Sequence, residues 1–149
     1  MSEWKVKVKL VGDADPSFIP ERKTDGAVGF DLRARVDGEL VLKPFERALI
    51  PTGIAISMPP WMEAQVRPRS GLAAKHGVTL LNSPGTVDPD YRGEIKVIAI
   101  NLGSDEFRVR RGDRIAQLVF SRTIPVSLET VDELDETARG KGGFGSTGK

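Results

Sequence analysis

Hydrophobic residues occur along this chain in short runs that glycine and proline interrupt. Residues 4–10 alternate lysine with apolar residues at a period of two, which is typical of a half-buried strand. We predict further strands in the β-rich runs 39–42, 47–50, 54–58, 62–67, 78–81, 94–101, 106–109, 115–120 and 124–128. Many short strands separated by turns indicate an all-β fold, either a β-sandwich or a barrel.

One helix and a change of composition complete the pattern. Residues 70–77 favour one or two helical turns, because Ser70 can cap the first turn and Gly77 suits the left-handed position at its end. Beyond residue 128 the chain is first acidic and then glycine-rich, with five glycines among residues 139–149. Such a segment holds no fixed shape alone. We therefore predict a β domain over residues 1–128, followed by a linker and flexible C-terminal arm over residues 129–149.

Length, charge and cysteine content exclude several classes of function. The 149 residues fit one domain with a single core. A net charge of +1 provides no basic field of the kind that duplex DNA binding needs. The absence of cysteine excludes disulfides, thiolate catalysis and Cys-ligated metal sites. The N-terminus lacks the apolar core of a signal peptide, and no apolar run reaches the roughly 18 residues that span a membrane. We expect a cytoplasmic location, with no nucleic-acid or membrane partner.

Two segments are suited to bind phosphate. Arg69, Ser70 and Gly71 open the predicted helix, whose first N–H groups favour anions. A loop with a capping serine and surface arginines has the same composition, so this signal alone leaves both interpretations open. Residues 143–149 match two phosphate-loop patterns, G-x-G-x-x-G and G-x-x-x-x-G-K. Both patterns need a following helix that the sequence lacks, so we expect neither a dinucleotide fold nor a Walker loop.

The composition of the arm still suits a nucleotide. Backbone amides freed by glycine, together with Arg139, Ser146 and Thr147, can wrap a polyphosphate. Phe144 among them offers a flat face on which a base can stack. A disordered tail explains the same composition equally well.

Acidic residues mark two further candidate positions. Residues 82–94 carry turn signals, and Asp88 in this segment can act as a general base or metal ligand beside a bound triphosphate. An ordinary solvated turn has the same composition. Asp31 lies inside an apolar run, where a buried carboxylate needs a partner or a metal. From the residues alone, a salt bridge with an arginine is the favoured explanation for Asp31. His76, the single histidine, is interpreted as structural.

Five segments, taken in order, closely resemble the five motifs of the trimeric dUTPase (deoxyuridine triphosphate nucleotidohydrolase) family. They are residues 27–34, 68–77, 85–94, 112–118 and 139–148. Departures from the family pattern are slight: Val87 stands where isoleucine is usual, and Pro89 lies between the two aspartates of the third motif. Neither departure removes a functional group.

The resemblance implies a jelly-roll-like β-sandwich or barrel that assembles as a homotrimer. Three shared active sites would each receive the C-terminal arm of a neighbouring subunit. The implied reaction is Mg²⁺-assisted hydrolysis of dUTP to dUMP and pyrophosphate by a dUTP diphosphatase. This reaction would keep uracil out of DNA and supply dUMP for thymidylate synthesis.

The resemblance also implies roles for single residues. Asp88 would activate the water that attacks the α-phosphorus in line. Asn82 and the backbone of residues 86–88 would read the uracil edge, Tyr91 would exclude a 2′-hydroxyl, and Asp31 would orient water on the metal. The implied substrate-binding set is Arg69, Ser70, Gly71, Asn82, Gly85, Thr86, Val87, Asp88, Tyr91, Lys96, Gln117, Arg139, Phe144, Gly145, Ser146 and Thr147.

Two other functions remain open at this point. A deoxycytidine triphosphate deaminase shares the implied fold, but it needs an acid/base group near C4 of the pyrimidine. A nucleotide-binding or regulatory protein without catalytic activity is the second alternative. An intact Asp88 and a complete glycine-rich arm favour the hydrolase over both.

Overall fold

The computed structural model of the protein describes residues 3–148. Within this range it contains one α-helix, α1 (Ser70–His76), and eleven strands. The strands are β1 (Lys7–Leu10), β2 (Phe30–Arg33), β3 (Glu39–Leu42), β4 (Arg47–Pro51), β5 (Ile54–Ser57), β6 (Met62–Arg67), β7 (Val78–Leu80), β8 (Gly85–Val87), β9 (Lys96–Asn101), β10 (Phe107–Arg110) and β11 (Arg114–Arg122).

The strands pair antiparallel in open sheets. The largest has the order β2-β11-β6-β8, and a second has the order β4-β9-β7. Two strand pairs, β1-β5 and β10-β3, complete the described topology. None of these sheets, within residues 3–148, closes into a barrel. The predicted all-β, jelly-roll-like fold with one short helix is therefore confirmed in its sandwich form.

One hydrophobic core lies between the sheets. In β9, Val97 and Ala99 are buried while Ile98 is only partly covered, which is the alternation expected of a strand with one face in the core. Leu32 of β2 and Leu118 of β11 are almost completely buried in the same core. Burial of each such side chain stabilises the fold by roughly 1.5–3 kcal/mol before the entropy cost. The core therefore holds β2 and β11 together.

Most of the predicted strands are present, with shifted ends. The first begins at Lys7 and not at residue 4, because its partner β5 ends at Ser57, directly opposite Lys7. Two short strands were not predicted. The glycine and aspartate of residues 29–31 obscured β2, and β8 is only three residues long. Both are held by pairing with distant strands, which local sequence does not reveal.

The expected strand over residues 124–128 was wrong. Thr123, directly after β11, donates its N–H to the carbonyl of Trp61 at 2.8 Å. Beyond it the segment adopts no regular structure, and among residues 3–148 no strand lies beside it to supply hydrogen bonds. The apolar side chains of Ile124, Val126 and Leu128 are exposed.

The ends of α1 were predicted only in part. Ser70 does not cap the helix, because it is already the first helical residue. Arg69 occupies the capping position with extended backbone (φ −100°, ψ 129°) and makes no side-chain capping bond. Gly77 ends the helix as predicted, in the left-handed conformation with φ 68°. No helix within the described residues is long and apolar enough to cross a membrane.

Nearly all residues of the arm from 129 to 148 are exposed. Their hydrogen bonds are local turns, such as the bond from Ser146 N–H to the carbonyl of Gly143 at 3.0 Å. Residues 1 and 2 of the predicted β domain, and Lys149 of the predicted arm, lie outside the described residues.

Candidate active site

A pocket of about 360 Å³ opens beside the start of α1, and we call it the arginine pocket. Five of the predicted site residues meet in it: Asp31, Arg69, Ser70, Gly71 and Gln117. The rest of its lining consists of Lys23, Ala27, Val28, Gly29 and Arg114. Its charged lining residues are three cations and one carboxylate, a balance that attracts an anionic ligand.

Asp31 organises the two arginines of this pocket. Its side chain is 15% exposed, with Oδ1 at 3.5 Å from Arg69 Nε and Oδ2 at 3.3 Å from Arg114 Nη1. Arg69 also donates through Nη1 to the carbonyl of Arg114 at 3.0 Å. A guanidinium has five N–H donors, so both arginines keep donors for a ligand. The salt bridge favoured from the residues alone is therefore present.

Gln117 also lines the arginine pocket. It lies opposite Asp31 in the β2-β11 pairing, and its Nε2 donates to the carbonyl of Pro68 at 3.0 Å. Its side chain lies against Gly29, where an added Cβ would overlap the amide oxygen. A larger residue at position 29 would therefore displace the Gln117 amide, and one amide hydrogen of Gln117 remains free for a ligand.

A second pocket of about 200 Å³ lies where the chain runs between β7 and β9, and we call it the hairpin pocket. It brings together seven predicted site residues, Asn82, Gly85, Thr86, Val87, Asp88, Tyr91 and Lys96, with Val66 and Ile98 behind them. Asp88 and Lys96 are the charged residues of this lining, and both are exposed. The pocket therefore offers a solvent-accessible carboxylate next to backbone and amide hydrogen-bonding groups.

Strand β8 fixes one side of the hairpin pocket. It pairs with β6, with Gly85 opposite Val66 and Val87 opposite Ala64. The chain then turns at Asp88, whose carbonyl accepts the N–H of Tyr91 at 3.2 Å. Because β8 is anchored in the sheet, the backbone that carries Asp88 starts from a fixed position.

The two pockets lie on opposite sides of β6. In the order β2-β11-β6-β8, the arginine pocket draws on β2 and β11, and the hairpin pocket on β8. They share no lining residue. Since neighbouring strands lie about 4.8 Å apart, β11 and β8 are separated by about 10 Å. Within the described residues, the arginine pocket and the hairpin pocket are thus separate.

The arm contributes to neither pocket of its own chain. None of its described residues is among those that line the two pockets. Phe144 is fully exposed, and Arg139 Nε donates to the carbonyl of Gly142 at 2.8 Å. The predicted site residues Arg139, Phe144, Gly145, Ser146 and Thr147 are therefore apart from the other eleven substrate-binding positions.

Sequence reasoning assigned no role to Arg114, which the structure places in the arginine pocket. It lies within the fourth motif, three residues before Gln117. Its presence there could be inferred only in general terms: a buried carboxylate such as Asp31 needs a cation, but the sequence does not say which one. Lys23, Val66 and Ile98 were also missed, because nothing in their local sequence marks them.

These features define an all-β protein with two separate pockets. The arginine pocket is suited to a polyanionic ligand, and the hairpin pocket contains the exposed carboxylate of Asp88. The sequence model of the dUTPase family matches residues 15–148. A deoxyuridine 5'-triphosphate nucleotidohydrolase from Treponema denticola is 54% identical over 132 residues, covering 89% of this chain and 92% of the relative. Another from Rickettsia bellii is 55% identical over 148 residues, covering 99% and 98%.

Solved structures agree with this assignment. The dUTPase of Staphylococcus bacteriophage 80alpha, solved with dUpNHpp, superposes with a TM-score of 0.86 at 26% identity, over 97% of this chain and 99% of that one. A mutant dUTPase from phage phi11 of S. aureus, described with a structural Mg(II) ion, has a TM-score of 0.78 at 23% identity, over 89% and 99%, and supports the fold alone.

The chain belongs to the dUTPase family. The family, the fold and the enzyme class predicted from the sequence, dUTP diphosphatase, are thereby confirmed.

Proposed function

We propose that this protein hydrolyses dUTP to dUMP and pyrophosphate by in-line attack of a water that Asp88 activates. The observation that carries the proposal is the meeting of Asp88, Asn82 and Tyr91 in one small pocket of a chain that matches the dUTPase family nearly end to end. The enzyme acts in the cytoplasm, where it keeps uracil out of DNA and supplies dUMP for thymidylate synthesis.

The hairpin pocket binds the deoxyuridine. Asn82 and the backbone of residues 85–87 present hydrogen-bonding groups to a pyrimidine edge. A bound base covers these polar groups, and a wrong base leaves them unpaired, so a few hydrogen bonds discriminate strongly. In this proposal the hairpin excludes the 5-methyl group of thymine, as the family resemblance implies. Tyr91 packs against the deoxyribose and excludes a 2′-hydroxyl, and Lys96 lies near the nucleotide.

The arginine pocket binds the phosphates. Arg69 and Arg114 are held ready by Asp31, and Ser70, Gly71 and Gln117 add neutral donors. Donors that are already oriented before the substrate arrives stabilise the charge that develops on the leaving pyrophosphate. The arm then closes over the substrate: Arg139, Ser146, Thr147 and Gly145 face the terminal phosphates, and Phe144 stacks on the uracil. A closing arm shuts out bulk water only when substrate is bound.

In this proposal Mg²⁺ is bound mainly by the triphosphate of the substrate and only weakly by the protein. Within residues 3–148 no group of three or more metal-binding side chains is placed to hold an ion. Mg²⁺ typically keeps several waters and takes one or two carboxylates together with substrate phosphates, so it needs no protein cage. Asp31 is the carboxylate of the arginine pocket. Because both of its oxygens already contact arginines, we propose that it contacts Mg²⁺ through water. Bound Mg²⁺ would neutralise charge on the triphosphate oxygens.

Asp88 supplies the chemistry. Its exposed carboxylate accepts a proton from a water as that water's oxygen bonds to the α-phosphorus. The bond from the α-phosphorus to the bridging oxygen breaks, and pyrophosphate leaves with the electron pair. The arginine pocket receives that charge. General-base catalysis requires the carboxylate to be within hydrogen-bond reach of the water, which the fixed start of the loop at β8 favours.

Assembly as a homotrimer completes the site. Leu49 of β4 lies opposite Ile98 of β9 on the outer face of their sheet, where Leu49 is exposed and Ile98 also lines the hairpin pocket. Ile124, Val126 and Leu128 are exposed as well, and burial of such apolar side chains favours association. Because the two pockets share no residue within one chain, three shared sites use half-sites from different subunits and the arm of a neighbour. The proposal keeps residues 1–128 as the expected β domain and residues 129–149 as the expected linker and arm.

Pyrophosphate release from dUTP, dCTP, dTTP and UTP, with and without Mg²⁺, tests the proposed function. The expected result is Mg²⁺-dependent release from dUTP, with little from the other three nucleotides. Ammonia release from dCTP without pyrophosphate from dUTP would identify a deaminase. Tight binding of dUTP without turnover would identify a binding protein. Either of the last two outcomes overturns the proposal.

A further inference from the structure

A salt bridge outside both pockets holds the loop that carries Tyr91. Glu94 lies at the end of this loop, with a side chain that is 11% exposed. Its Oε1 accepts a hydrogen bond from Arg35 Nε at 2.9 Å, and its Oε2 accepts one from Arg35 Nη2 at 3.0 Å. Two parallel bonds between a guanidinium and a carboxylate fix orientation as well as distance. Glu94 ends the third motif of the family, but the resemblance gives it no role.

A third hydrogen bond fixes the same carboxylate. The N–H of Gly53 donates to Glu94 Oε1 at 2.9 Å. Gly53 has φ +75°, and a Cβ there would lie 2.6 Å from the Cβ of Ala14 and 3.2 Å from Arg35 Cδ, so only glycine fits. Burial raises the pKa of Glu94, but the bonds from Arg35 and Gly53 outweigh burial and hold this pKa below its ordinary value. The carboxylate is therefore charged at neutral pH.

Arg35 is itself fixed from its other side. Its Nη1 lies 3.3 Å from Asp13 Oδ1, and the second oxygen of Asp13 lies 3.2 Å from Arg111 Nη1. The backbone N–H of Arg35 donates to the carbonyl of Pro51 at 2.8 Å. Arg35 lies two residues after the end of β2, the strand that carries Asp31, so these contacts fix it relative to the sheet.

The link from Glu94 to the hairpin pocket is the Tyr91 hydroxyl. It donates to the backbone carbonyl of Glu94 at 2.9 Å. The phenol ring lies against Gly93, where an added Cβ would overlap the hydroxyl. The position of the ring therefore follows the backbone of Glu94, and that backbone is held through its side chain. Neither Glu94 nor Arg35 lines the hairpin pocket, whereas Tyr91 does, so the hydroxyl of Tyr91 connects the salt bridge to that pocket through a hydrogen bond.

We infer that the Arg35–Glu94 salt bridge positions the Tyr91 ring and thereby sets the preference of the enzyme for deoxyribose over ribose. The inference rests on the proposed function, because Tyr91 acts there as the group that excludes a 2′-hydroxyl. Arg35 and Glu94 are positioning residues. A ring displaced by a fraction of an ångström admits the hydroxyl while leaving the phosphates and Asp88 in place.

The experiment compares kcat/KM for UTP and dUTP in Glu94→Gln and Arg35→Lys, which keep side-chain size or charge but break the paired bonds. Both variants should raise the ratio of UTP to dUTP activity about tenfold, the scale of a single lost steric contact. Glu39→Gln is the matched control, because Glu39 also pairs with arginines, Arg108 and Arg110, on strands remote from both pockets. Its ratio should equal that of the wild type.

A double variant distinguishes positioning of the Tyr91 ring from a general loss of order in the loop. Tyr91→Phe removes the hydroxyl that contacts Glu94, so it should itself raise the ratio. If Glu94 acts through that hydroxyl, Glu94→Gln should add little in the Tyr91→Phe background. Ratios that multiply independently would overturn the inference. An unchanged ratio in both Glu94→Gln and Arg35→Lys, with only a thermal destabilisation like that of Glu39→Gln, would overturn it as well.

A measurement without substrate distinguishes this inference from the proposed function. Amide hydrogen exchange of residues 91–95 should become faster in Glu94→Gln and stay at the wild-type rate in Glu39→Gln. If the wild type does not hydrolyse dUTP, the proposed function fails, and the exchange result still tests the anchor. Equal exchange in wild type and Glu94→Gln would show that the salt bridge does not hold the loop.

Discussion

The carboxylate of Asp31 lies 3.3 Å from the guanidinium of Arg114, a residue 83 positions later in the chain. The pairing of β2 with β11 brings the two together at the arginine pocket. Asp31 also contacts Arg69, so one largely buried carboxylate holds two guanidinium groups of the pocket lining. This arrangement makes Arg114 a phosphate-binding group in the proposed reaction.

Arg114→Ala should therefore weaken phosphate binding. Loss of one charge-assisted hydrogen bond costs about 1.5–3 kcal/mol, so kcat/KM for dUTP should fall about ten- to a hundredfold. Steady-state pyrophosphate release measures this effect. Arg110→Ala is the control, because Arg110 is an exposed arginine of β10 that pairs with Glu39. Equal losses in the two variants would show that Arg114 has no special role.

Truncation after Ala138 tests the arm. The described arm residues bond only locally and line neither pocket, so a chain without residues 139–149 should fold and assemble normally. Its turnover of dUTP should nevertheless be small, because the substrate would no longer be closed off from bulk water. Light scattering and pyrophosphate release together check both expectations. A truncated chain that fails to assemble would mean that the arm is structural.

Tyr91→Ala should raise activity on UTP relative to dUTP. Removing the ring opens the space that a 2′-hydroxyl would occupy, while the backbone that reads the base remains anchored by β8. We expect the UTP to dUTP ratio of kcat/KM to rise about ten- to a hundredfold. Competition between the two nucleotides in one reaction gives this ratio directly. If the ratio does not change, another group excludes ribose.

Stability should depend on Glu94 in acid. Since the pKa of Glu94 is held below its ordinary value of 4.5, the folded state binds a proton less readily than the unfolded chain does. The resulting stabilisation is complete above the unfolded pKa and is lost as pH falls through the folded pKa. The difference in Tm between wild type and Glu94→Gln should thus be constant near neutral pH and shrink below about pH 4.5. A difference that stays constant down to about pH 3 would contradict this assignment.

The sequence predicted the elements that depend on local pattern and missed those that depend on distant partners. Alternation located most strands, and Gly77 marked the end of α1 correctly. The short strand β8 was missed because its stability comes from pairing with β6. Residues 124–128 alternate like a strand, but nothing within the described part of the same chain pairs with them. The period of the hydrophobic pattern shows which face of a strand would be apolar, but it does not show whether a partner strand is present.

The candidate site shows the same division. Motif order identified Asp88, Tyr91 and Arg69 before any geometry was known, because their spacing follows a family pattern. It did not divide these residues between two pockets on opposite sides of β6. Nor did it pair Glu94 with Arg35, which lies 59 residues earlier, since an ion pair between distant segments leaves no local signal.

The central claim is that Asp88 activates the attacking water, and Asp88→Asn tests it most directly. Asparagine keeps the size of the side chain but cannot accept the proton, so a non-hydrolysable dUTP analogue should bind with nearly wild-type affinity. The rate of pyrophosphate release from saturating dUTP should fall by about 10²–10⁴-fold, the usual contribution of a general base. Near-normal release by a folded, analogue-binding Asp88→Asn variant would contradict the account.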